Sequence, residues 1–143
     1  MTLLAAIRPD DWNIALFVHI LGAMALVGLL VLVVTQVAGD NLRLGFRTLL
    51  IAVIPSWIVM RVAAQWIASK EHVDDIDPAP AWVDIGYSTS EGSLLLLIAA
   101  TVCAGIAARR ARGGGLRTAT LVLVGIALVA YVVAIWAMST KPT

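Results

Sequence analysis

Four apolar stretches run through this chain: Ile14 to Thr35, Thr48 to Ser69, Glu91 to Ala108 and Thr118 to Met138. Each is near the roughly 20 residues that a helix needs to cross the hydrocarbon core of a bilayer. No water is present there to satisfy backbone N–H and C=O groups, so a lone spanning segment must close its hydrogen bonds within itself as an α-helix. Composition leaves no soluble alternative. Of 143 residues, 61% are hydrophobic and 13% charged, with a mean hydropathy of +0.96, whereas globular domains carry about a quarter charged residues. The expectation is an all-α membrane protein, one four-helix transmembrane domain over 1–143, with helices at about 13–36, 48–69, 89–109 and 118–139 and a long connection at 70–88. Ser88-Thr89-Ser90-Glu91 has the form of a capping box and places the third helix start near Thr89. The first stretch is expected to be retained as a span, because it lacks a basic leader and exceeds the roughly 7–15 apolar residues of a signal peptide.

Arginine placement sets the expected orientation. Arg43 and Arg47 lie between helices one and two, and Arg109, Arg110, Arg112 and Arg117 between three and four. By the positive-inside rule both connections face the cytoplasm, which puts both termini outside. Trp12, Trp66, Trp82, Tyr87 and Trp136 then fall near the outer interface, where amphipathic rings are favoured. The arginines near Gly113-Gly114-Gly115 read as topology signals and lipid-phosphate contacts. No nucleotide loop is present, and no nucleic-acid partner is expected.

Ionisable groups at membrane depth are the default candidates for function, since burying one in lipid costs at least a few kcal/mol. His19 and Arg61 are two such groups. Counted from the outer ends of their helices, His19, Arg61 and Tyr131 each lie some seven residues deep, roughly 10 Å at 1.5 Å per residue. Side chains from three helices can therefore converge on one ligand-binding pocket. Trp57 and Gln65 flank Arg61 at four-residue spacing and extend the same polar stripe. Pro55 removes a helix hydrogen bond and should bend helix two just below this level. The competing reading is a closed polar cluster that fixes helix register, with Arg61 snorkelling outward.

Small residues mark close helix contacts in a membrane. Ala100, Ala104 and Ala108, with Thr101 and Gly105 beside them, form such a face on the third helix. Ala15, Gly22 and Ala23 share the face of His19, which reads either as tight packing or as room for a ligand. In the 70–88 connection, Trp82, Val83, Ile85 and Tyr87 either cap the bundle or anchor an ordered surface loop, the latter being the general rule for loops. The single Cys103 excludes an intramolecular disulfide and reads as an inert thiol. Glu71, His72, Asp74 and Asp75 lack a recognised metal-ligand spacing, and Met24, Met60 and Met138 are scattered along the sequence, which weakens a soft copper site. There is no Ser/His/Asp order and no pair of intramembrane carboxylates, so a binding or accessory protein is expected rather than an enzyme.

Val18-His19-Ile20-Leu21-Gly22-Ala23, Gly28 and the ending Trp136 to Pro142 resemble a bacterial family of small four-helix integral membrane proteins of unknown function. The likeness would cover nearly the whole chain and implies a multi-pass protein of the bacterial cytoplasmic membrane. More distantly, His19 resembles by position the first-helix histidine of the group containing the membrane domain of copper-resistance protein D and HemJ-type protoporphyrinogen oxidase. That likeness implies haem b, with His19 as axial ligand, and Lys70 or His72 as a second, unaligned candidate. Two function classes follow: a ligand- or haem-binding module, or a structural subunit that docks a membrane-protein partner. A small transporter acting as a homo-oligomer ranks below both.

Overall fold

The computed structural model describes residues 10–71, 81–110 and 114–139. Its elements are α1 (Asp10–Ala38), α2 (Leu42–Thr48), a π-helical turn (Leu49–Val53), α3 (Ile54–Glu71), α4 (Ala81–Arg109) and α5 (Gly114–Ser139). The second, third and fourth of these form one continuous helix, so four helices are long and apolar enough to cross a membrane: Ile14–Ala38, Leu42–Lys70, Val83–Arg109 and Gly114–Ser139. They alternate in direction. The start of α1, the end of α3, the start of α4 and the end of α5 share one end of the bundle, here the terminal end; the opposite end carries the arginine-bearing connections. Large apolar side chains such as Phe17, Met24, Ile51, Leu95 and Trp136 point outward, which lipid tolerates and water would not.

Next to Pro55 the second span departs from a regular α-helix as a π-helical turn. Proline lacks an N–H and its ring crowds the carbonyl four residues earlier, that of Ile51. The backbone widens into the π turn at Leu49–Val53, immediately before the proline.

The third span begins earlier than the capping box implies. Helix α4 starts at Ala81, directly after Pro80, so Ser88 to Glu91 are helix interior and 81–88 are not loop. Tertiary contact explains the difference: Val83 is buried against Ala68, with Tyr87 packed beside them, and this apolar face rewards two further turns of helix. Those turns extend the contact between α3 and α4 toward the terminal end. The acidic stretch around His72 to Pro80 lies outside the described residues.

Most of the largest fully buried side chains lie in the arginine-bearing half. Leu26, Leu30, Val33 and Val37 of α1 form one buried stripe against Leu49 and Val53, Leu97, Ala100 and Ala104, and Val124 and Ala127. The expected small face of α4 is buried at Ala100, Thr101 and Ala104, and continues through Ala107 rather than through the half-exposed Ala108. Gly105 lets Phe46 approach to 3.0 Å of the position a Cβ would occupy.

The α1–α2 turn is held by Gly39 N–H to Thr35 O (2.9 Å) and Asn41 N–H to Gln36 O (2.8 Å). Between them Asp40 adopts φ 61°, a left-handed conformation usually left to glycine. Arg117 accounts for it. The guanidinium pairs with Asp40 and donates to Ala38 O (2.7 Å) and to Val37 O (3.1 Å), which also accepts the Asp40 N–H, at the end of α1. Arg117 thus acts as a cap for a neighbouring helix.

Candidate functional site

The terminal half of the bundle encloses a cavity of about 490 Å³ bounded by α1, α3, α4 and α5. Three of its seams are tied. Between α1 and α3, Gly22 packs on Met60, with the Met60 Cβ 3.1 Å from where a glycine Cβ would stand. Between α3 and α4, the Trp57 indole N–H donates to Ser90 O (3.2 Å) and Ala68 packs on Val83. Between α4 and α5, Ser93 meets Tyr131 and Gly86 accommodates the Met138 methyl.

His19, Arg61 and Tyr131 all line this cavity, as their matched depth implies. The His19 Nδ1 lies 3.2 Å from the Met60 carbonyl. A carbonyl can only accept, so Nδ1 carries a proton and donates it, which leaves Nε2 for any further partner. Tyr131 is 4% exposed. Ser93 donates its one hydroxyl proton to Ser90 O (2.9 Å), so the Tyr131 hydroxyl must donate to Ser93 Oγ, at 2.5 Å. With Trp57 also donating to Ser90 O, this carbonyl joins α3 to α4 at the cavity floor, and Ser93 relays the link to Tyr131 of α5. The Ser90 hydroxyl itself is buried and has no hydrogen-bond partner.

Arg61 does not snorkel freely. Its guanidinium stacks 4.9 Å from the Tyr87 ring centroid, donates to Gln65 Oε1 at 2.9 Å, and reaches the Glu91 carboxylate only at 4.0 Å. Gln65 therefore steers Arg61 from outside the cavity, and Trp57 braces the floor without forming part of the wall. The small residues near His19 divide between the two readings. Gly22 serves helix contact, while Ala23 borders the cavity.

Sequence spacing misses the wall residue Ser90 and its neighbour Ser93, which read as parts of a cap and of an apolar run. With α4 starting at Ala81, Ser90 lies nine residues deep, close to the eight of Tyr131 counted from Ser139, and Ser93 one turn on meets the Tyr131 hydroxyl. Met24, Met60 and Met138, scattered in sequence, meet in this one cavity. Thioethers are flexible and polarisable, and suit a wall that adapts to apolar ligands.

For haem, the fit is partial. A ligating histidine commonly donates its other nitrogen to a backbone carbonyl, as His19 does. Lys70 is an exposed residue at the end of α3 and is not in the wall, and His72 lies outside the described residues. Among the described residues no group of three His, Cys, Asp or Glu could hold a metal ion. No protein-family model, curated protein or solved structure matches the chain.

Proposed function

We propose that the protein is a ligand-binding module of the bacterial cytoplasmic membrane, with both termini and the cavity end outside, and that it holds a hydrophobic small molecule bearing a hydrogen-bonding head. One observation carries the reading. Four helices each bring a polar side chain, His19, Arg61, Ser90 and Tyr131, to one cavity whose volume falls within the roughly 300–1,000 Å³ of small-molecule sites. A cluster that only pinned helices together would satisfy its members internally. Here the Ser90 hydroxyl is unpartnered, and His19 Nε2 has no partner among the described residues. The arginines of the opposite end support the orientation.

These four groups offer an imidazole nitrogen, two hydroxyls and one cation, and among the described residues of the wall no nucleophile is paired with a base, which favours binding over catalysis. Haem b is one candidate: His19 Nε2 would hold the iron and Arg61 a propionate, and the group would supply redox chemistry.

The test is to purify the protein from its own membrane, record its visible absorption, and extract bound molecules for mass spectrometry. Ala134→Phe, which fills a buried wall position, serves as the control. A ligand retained by wild type and lost from the filled variant is expected, with a Soret band if it is haem. Identical extracts would favour a structural subunit that docks a membrane-protein partner.

A further inference from the structure

The fourth seam of the cavity, between α1 and α5, differs from the other three. Leu16, Ile20 and Met24 on α1 and Ile135 on α5 all line the cavity, yet they are 38%, 49%, 67% and 45% exposed on the outer surface of the bundle. Side chains that face a cavity and the exterior at once are the rims of an opening. Met24 lies ten residues inside the span that begins at Ile14, about 15 Å at 1.5 Å per residue, so this opening faces hydrocarbon rather than water. The rim is apolar at Leu16, Ile20, Met24 and Ile135, with Ser139 of α5 at its terminal edge.

Charge identifies what would pass through it. Among the described residues Arg61 is the one permanently charged group in the wall, and no carboxylate lines the cavity. The carboxylate it does reach, Glu91, stands 4.0 Å away with a side chain 71% exposed, whereas the Arg61 side chain is 23% exposed. A half-buried guanidinium so weakly compensated favours an anionic oxygen head, which it can grip with two parallel hydrogen bonds. The buried Ser90 hydroxyl offers a further donor nearby.

We propose that the ligand is a single-chain anionic amphiphile, a long-chain carboxylate drawn from the bilayer, which enters sideways between α1 and α5. Its head sits at Arg61 and its tail lies along the methionine-lined wall or trails out through the opening. This rests on the cavity being a ligand site, and the experiment separates the two claims.

The probes are a photoactivatable hexadecanoic acid and the matching hexadecanol, each incorporated into phosphatidylcholine nanodiscs holding the full chain. Cross-linked positions are mapped by mass spectrometry. The acid should label Leu16, Ile20, Met24 or Ile135 in preference to lipid-facing residues elsewhere, such as Val102 and Val122. Arg61→Gln should cut that labelling about tenfold, in proportion to a lost charge-assisted pair, and leave labelling by the alcohol unchanged. Equal labelling by acid and alcohol, insensitive to Arg61→Gln but abolished by Ala134→Phe, would overturn the carboxylate and preserve the ligand site. Labelling spread evenly over all lipid-facing residues would overturn both.

Discussion

The hydrogen-bonded floor of the cavity makes a quantitative test of the architecture, because its donors and acceptors are assigned. Tyr131→Phe removes only the hydroxyl and keeps the buried ring, while Ser93 retains its bond to Ser90 O. The loss is one interhelical hydrogen bond, about 0.6 kcal/mol and at most about 1.7 in a membrane protein. Ser93→Ala is worse, since it strands a phenol that is 4% exposed, and costs about 1–3 kcal/mol. The double variant removes both partners and should destabilise by about 1 kcal/mol less than the sum of the single changes. Reversible SDS unfolding in bicelles measures all three. If the free energies add within about 0.3 kcal/mol, the two hydroxyls do not meet and the floor is misplaced.

Other predictions concern packing, capping and orientation. Gly45→Ala should cost about 1–3 kcal/mol in the same assay, because the new Cβ would stand 2.6 Å from a methyl of the fully buried Val37; Gly28→Ala, with nothing within 4 Å, should not destabilise. Arg117→Met should lower stability by about 1–2 kcal/mol through the loss of the α1 cap and the Asp40 pair, discounted for partial exposure, whereas Arg109→Met should stay within about 0.5. Equal effects of the two arginine changes would refute the capping role. Cysteine labelling in intact cells should reach position 77 from outside and position 114 only from the cytoplasm, and the reverse would invert the proposed orientation.

How far the sequence anticipates this molecule depends on the kind of signal. Spans are legible because lipid imposes one solution on any 20-residue apolar run, and the level of His19, Arg61 and Tyr131 follows from counting residues along rigid helices. The small face at Ala100 and Ala104 is legible for a similar reason, since close backbone approach requires small side chains. The start of α4 is not, because Val83 and Tyr87 extend the helix by packing on α3, a tertiary term that outweighs the local capping pattern at Thr89. That one error hides Ser90 and Ser93 from the depth argument. Arg117 illustrates another limit. Its charge signals topology, but its bonds to residues about 80 positions away depend on how α5 meets α1. The gathering of Met24, Met60 and Met138 likewise exists only once four helices have packed.

The most direct test of the central claim is an experimental structure of the protein extracted with its native lipid. The account predicts non-protein density in the cavity between α1, α3, α4 and α5, with a polar atom within about 3.2 Å of Ser90 Oγ, His19 Nε2 or the Arg61 guanidinium. A closed bundle in which those three groups bond only to one another or to other protein atoms would contradict it.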